Sequence, residues 1–128
     1  MLRRSLLITA AALCAAAPAL AQNTWPSKPV KIVVPTGPGS SLDLIVRAMS
    51  EKLAARWGQP VVVENKPGAG GRLAAEAVLA APADGSTVMI APNATPTFLT
   101  LVPGHNIKWD ILRDFAPVCA MASYPLGM

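Results

Sequence analysis

Side chains able to carry chemistry are scarce in this sequence. Its 128 residues include one histidine, His105, and two cysteines, Cys14 and Cys119. One histidine with scattered acids cannot assemble a zinc-type site, so no metal is called for. The same scarcity argues against hydrolases: no serine stands in a Gly-x-Ser-x-Gly elbow, and His105 sits in a Pro-Gly-His-Asn loop as a solvated surface group. No Gly-Lys-Ser/Thr phosphate loop occurs either. Charge is thin as well, at 14% Asp, Glu, Lys and Arg with no basic cluster, which excludes a nucleic-acid partner. Long hydrophobic runs are also missing. The longest, Leu6 to Ala17, is interrupted by Thr9 and closed by Pro18, and falls short of the roughly 18 residues that a membrane span needs.

That run does have the form of an export signal. Arg3 and Arg4 give it a basic start, and Ala19-Leu20-Ala21 supplies a small-residue cleavage site. The expectation is a signal peptide over residues 1–21, cut after Ala21, with no membrane insertion afterwards and a periplasmic location. Cys14 follows Leu13 rather than the small residue of a lipoprotein signal. Cleavage leaves 107 residues with nine basic and seven acidic side chains, enough for one domain with a real core. The remaining thiol, Cys119, forms no intramolecular disulfide and lies in an apolar run, where it reads as a small core residue.

What is abundant is an alternation of apolar runs and small-residue loops. Residues 22–29, "QNTWPSKP", form an extended leader. Val30 to Val34 is a β-branched run of the kind buried on both faces of a parallel sheet. After "TGPGSS", apolar residues at Leu42, Ile45, Val46, Met49, Leu53 and Trp57 make one helical stripe, with Asp43, Arg47, Glu51 and Arg56 covering the other side. Ser40 or Ser41 caps that helix and Gly58 ends it. The pattern repeats: a strand at Val61 to Val63, the loop "NKPGAGG", a small-residue helix from Leu73 to Ala81, a turn at Ala83-Asp84-Gly85, and a strand from Thr87 to Ala91. Beyond it, "TFLTLV" has the composition of a short helix and Phe115 to Ala122 that of a further strand. Strand, glycine loop and helix in succession predict α/β architecture with right-handed crossovers and a parallel sheet.

In such a sheet ligands bind beyond the carboxyl ends of the strands. The loops gathered there are 36–41, 66–71 and 92–97, rich in Gly, Pro, Ser, Thr and Asn. Two of them open helices, so backbone N–H groups would converge with positive helix ends, a combination suited to an anion. The candidate ligand-binding residues are Thr36, Gly37, Gly39, Ser40, Ser41, Ala69, Gly70, Gly71, Asn93, Ala94 and Thr95. Backbone and hydroxyls are favoured over the flanking Lys66 and Arg72. A dinucleotide site is the rival, since Glu64 ends the second strand about where a ribose-binding acid would stand. Its glycine fingerprint fails, because Leu42 and Leu73 take the third glycine position after Gly37/Gly39 and Gly68/Gly70.

The stretches "WPSKPVKIVVPTGPGSSLDLIVRAMSEKLAARWGQPVVVENKPGAGG", "APADGSTVMIAPNAT" and "DILRDFAPV" resemble, in order and spacing, the Bug family of periplasmic receptors for tripartite tricarboxylate transporters, over residues 25–124. The resemblance implies a type II periplasmic binding fold whose first, three-layer αβα lobe is residues 30–128, incomplete and truncated before the second lobe. It implies a solute-binding receptor, not an enzyme, without cofactor. The ligand would be a small carboxylate, such as a di- or tricarboxylate, an amino acid or an aromatic acid, held by backbone amides and ordered water. The other partners would be the transporter's membrane subunits. Thr36, Gly37, Pro38, Gly39 and Ser40 stand where the family usually has Phe-Pro-Pro-Gly-Gly, so the aromatic residue and the second glycine are replaced, and Asp43 matches the acid of the following helix. With one lobe the crevice lacks its opposite wall, so weak or absent binding is expected. A nucleotide-binding oxidoreductase fragment and a truncated product without function remain as alternatives.

Overall fold

In a computed structural model, described for residues 25–92, 95 and 107–121, three parallel strands form one sheet in the order β2-β1-β3. The strands are β1 (Val30–Val34), β2 (Val61–Asn65) and β3 (Thr87–Met89), and the helices are α1 (Ser41–Trp57), α2 (Arg72–Leu79) and α3 (Ile111–Asp114). Val30 lies opposite Val61 and Ile32 opposite both Val63 and Val88. Because β2 and β3 flank β1 on opposite sides, the two successive crossovers run in opposite directions. Right-handed connections therefore put α1 and α2 on opposite faces, which makes three layers.

The period-2 pleat sorts the strand residues between those layers. Ile32 and Val34, with Val61, Val63, Val88 and Ile90, meet Leu42, Val46, Met49 and Leu53 of α1. Ile32, Val34 and Val46 are buried, each contributing about 1.5–3 kcal/mol through the apolar surface it removes from water. On the second face α2 presents the buried Ala74 and Ala75. It packs on β3 and β1 and leaves β2 uncovered there, with Val62 49% exposed. Lys31 and Lys66 each pair with Glu64 at 2.8 Å.

The predicted caps form: Ser40 accepts the Asp43 amide at 3.2 Å, and Gly58 closes α1 in the left-handed conformation. The described part of the leader, from Trp25, is fastened to the domain. Trp25 meets Trp57 edge to face with ring centroids 5.1 Å apart, and Lys28 reaches Asp84 at 2.6 Å.

Several expectations change. Ile45 is not part of the buried stripe of α1 but 52% exposed, and Asp43, assigned to its solvent side, is only 1% exposed. Val46 rather than Ile45 faces the sheet, and Asp43 lies on the same side of α1 about one turn earlier, beside the first loop. Residues 115–121 form no strand and are mostly exposed, including Cys119, which is therefore no core residue. An apolar run becomes a strand only beside a partner edge, and none of the described residues offers this one a ladder. The last helix, α3, was not anticipated: Asp110 caps it by accepting the Leu112 amide at 2.7 Å, and Trp109 and Phe115 pack edge to face across its ends at 5.7 Å. The signal segment, the "TFLTLV" helix and His105 lie outside the described residues. Among those described, no helix is long and apolar enough to cross a membrane.

Candidate functional site

The carboxyl ends of all three strands open onto one cleft of about 370 Å³, lined by Pro35, Thr36, Gly68, Gly70, Gly71, Pro92 and Thr95. Of the residues nominated from sequence, Thr36, Gly70, Gly71 and Thr95 are brought together there. Gly37, Gly39, Ser40, Ser41 and Ala69 are not among the lining residues, and Asn93 and Ala94 lie outside the described residues. Ser41 is the exposed first residue of α1, and the Ser40 hydroxyl is occupied as a cap and by a 2.7 Å bond to the Thr36 hydroxyl. Gly68 and Pro92 fall within the expected loops 66–71 and 92–97 without having been singled out, and Pro35 was missed. Pro35 stands one residue before the first loop as delimited from sequence, although the carboxyl edge of a parallel sheet is where loop residues become walls.

The second loop owes its shape to backbone conformation. Four successive residues have positive φ: Gly68 (121°), Ala69 (48°), Gly70 (64°) and Gly71 (96°). At Gly71 an added Cβ would lie 2.5 Å from the Thr95 methyl and 3.4 Å from the Pro35 Cβ. All three loops thus close on a point where only hydrogen fits. The Gly71 amide donates to the Gly68 carbonyl at 3.0 Å, while those of Ala69 and Gly70 donate to no group among the described residues.

The first loop has one left-handed residue, Gly39 (φ 81°), and is otherwise held by side chains. One Asp43 oxygen accepts the Gly39 amide and Arg47 Nε, both at 2.9 Å, and the other accepts Asn65 Nδ2 at 2.8 Å. Asn65 Nδ2 also donates to the Thr36 carbonyl at 3.1 Å, and Arg47 Nη2 donates to Asn65 Oδ1 at 2.9 Å. These donors, Arg47 foremost and then Gly39 and Asn65, hold the Asp43 carboxyl at about 2, against an ordinary 3.8. Sequence reading offered two signals for this cluster, both through the resembling family: Asp43 matches the acid of its helix, and Asn65 stands within the matched stretch "QPVVVENKPGAGG", although it was counted into a loop.

Neither flanking cation lines the cleft: Lys66 pairs with Glu64, and Arg72 lies 3.6 Å from Glu76. Glu64, the residue a dinucleotide site would need, is engaged by Lys31 and Lys66, which hold its carboxyl below its usual range. The cleft presents two prolines, three glycines and two threonines, a mostly apolar wall with no charged side chain among its lining residues.

The family profile described as "Tripartite tricarboxylate transporter family receptor" matches residues 45–128. A UPF0065 protein of Bordetella bronchiseptica is 38% identical over 127 residues, which is 99% of this chain and 38% of that protein. Protein BugT of Bordetella pertussis is 36% identical over 104 residues, covering 81% of this chain and 32% of BugT. The chain thus spans about a third of the length of these relatives. Among solved structures, MatC from Rhodopseudomonas palustris with bound malate superposes with a TM-score of 0.65 at 35% identity, over 73% of this chain and 32% of MatC. A TctC solute-binding protein from Polaromonas without ligand gives a TM-score of 0.54 at 28% identity, over 62% of this chain and 29% of its own. Fold and sequence agree: the chain belongs to the tripartite tricarboxylate transporter receptor family.

Proposed function

We propose that residues 30–128 form the first lobe of a periplasmic solute-binding receptor, and that the cleft at the strand ends is its half of a site for a small carboxylate. The observation that carries this is the closure of three loops on Gly71, which gathers glycine backbone and the Thr36 and Thr95 side chains around one cleft. A carboxylate needs several convergent donors, and a glycine loop supplies them without side-chain entropy. Malate in MatC and adipate in another R. palustris protein, to which this chain is 37% identical, point to dicarboxylates. Residues 1–21 would be the export signal, cut after Ala21, with residues 22–29 the leader fastened through Trp25 and Lys28. Delivery to membrane subunits of a transporter, rather than catalysis, is the role in keeping with a family of receptors.

The test is a titration of the purified, isotope-labelled chain with malate, adipate and, as a control, a nicotinamide dinucleotide. The expected result is a weak, saturable shift of the Thr36, Gly70, Gly71 and Thr95 amides with a dicarboxylate and none with the dinucleotide. Saturation by the dinucleotide alone, or no loop response to any carboxylate at tens of millimolar, roughly the span accessible to one half-site, overturns the reading.

A further inference from the structure

The cluster beneath the first loop is more than the local structure of α1 requires. Ser40 already caps the helix. A carboxylate in the first turn would gain from the helix dipole while fully solvated. Asp43 is instead 1% exposed. Burying a carboxylate is costly unless its oxygens are paired, and here three donors pair them. Two of these come from outside the turn. Gly39 belongs to the first loop. Asn65 is the last residue of β2 and so the root of the second loop.

Asn65 is the bridge. Its single Nδ2 donates both to Asp43 and to the carbonyl of Thr36, while its Oδ1 is held by Arg47. Both donors of the amide are thereby used and its orientation is set. It ties the backbone of a cleft-lining residue of the first loop to the strand from which the second loop departs. At the other end of the first loop, Asp43 draws in the Gly39 amide, and Ser40 Oγ holds the Thr36 hydroxyl at 2.7 Å. Neither Asp43 nor Asn65 lines the cleft.

We propose that Asp43 and Asn65 are positioning residues which lock the first loop to the root of the second and so fix Thr36 at the mouth of the cleft. The ligand part of this rests on the carboxylate reading above; the locking part does not. The pairing rigidifies the loop before any ligand arrives, so that ordering it is not charged against binding.

The experiment uses the chain with Asp43→Asn, which keeps size and removes charge, and with Asn65→Ala, which removes the bridge from its other end should the first variant fold poorly. Val61→Ala, at the opposite end of β2, is the control for a general loss of stability. Two signals are read: hydrogen exchange of the Gly39 amide without ligand, and the response of Thr36 and Gly70 to sodium malate. Both loop variants are expected to exchange Gly39 about tenfold faster, through local opening. They should also lose the Thr36 response while keeping that of Gly70. Gly39 exchange as slow as in wild type, or no faster than in Val61→Ala, overturns the proposal. So does a retained Thr36 response. A wild-type chain that ignores malate defeats the carboxylate reading alone, and Gly39 exchange then decides the lock by itself.

Discussion

The two glycine-bearing loops wall the same cleft but are held by different means. The second, residues 67–71, takes its form from backbone: four successive positive φ values and a contact at Gly71 that admits no side chain. The first, residues 36–40, takes its form from side chains outside it, Asp43 and Asn65 above all. A backbone-shaped loop is legible in its own residues. A side-chain-shaped loop depends on partners elsewhere, and its own letters say little about what holds it.

Gly71→Ala should break the second loop hardest. Left-handed strain of about 1–2 kcal/mol adds to overpacking of about 1–3 kcal/mol, so urea unfolding should show a loss of about 3 kcal/mol. A loss below about 1 kcal/mol would mean that the Thr95 methyl yields freely.

Acid should weaken the first loop as part of a wider loss of stability. Asp43 titrates near 2 when folded and at an ordinary 3.8 otherwise, so the unfolded chain takes up the proton first. Its contribution is fully present above about pH 4 and drains away as pH falls towards 2. Glu64, Asp84 and Asp114 are lowered too and act in the same direction. The urea midpoint should fall across that window, and less steeply in Asp43→Asn. Equal slopes would remove Asp43 from the linkage.

Ser40→Ala should cost about 1 kcal/mol, the usual value of an N-cap, and should free the Thr36 hydroxyl without moving Gly70. Thermal unfolding measures the first effect and amide shifts the second. The smallest change expected is a gain. Ala69→Gly relieves about 1–2 kcal/mol of left-handed strain and adds about 0.5–1 kcal/mol of unfolded-chain entropy, for a net stabilisation of about 0.5–1 kcal/mol. A destabilised Ala69→Gly would show that the Ala69 methyl makes contacts outweighing its φ of 48°.

Much of the fold was legible. The β-branched runs at 30–34 and 61–63 are strands, the runs after them are helices, and Ser40 and Gly58 cap α1 as their types suggest. Four of the nominated site residues line the cleft because parallel topology by itself sends the loops to one edge. The misses share a cause. Phe115 to Ala122 had strand composition, yet residues 115–121 have no strand partner among the described residues. Asp43 and Ile45 were sorted by a stripe drawn around the helix, and a stripe of hydrophobicity assigns every acid to solvent.

Period, capping and turn chemistry determined the elements, their order and the edge at which loops collect, because each is settled within a few residues of chain. Only tertiary structure decided which polar group would be buried. The donors that make a buried Asp43 tolerable include Asn65, 22 residues away on another element, and a carboxylate goes under cover only where such partners have been brought to meet it.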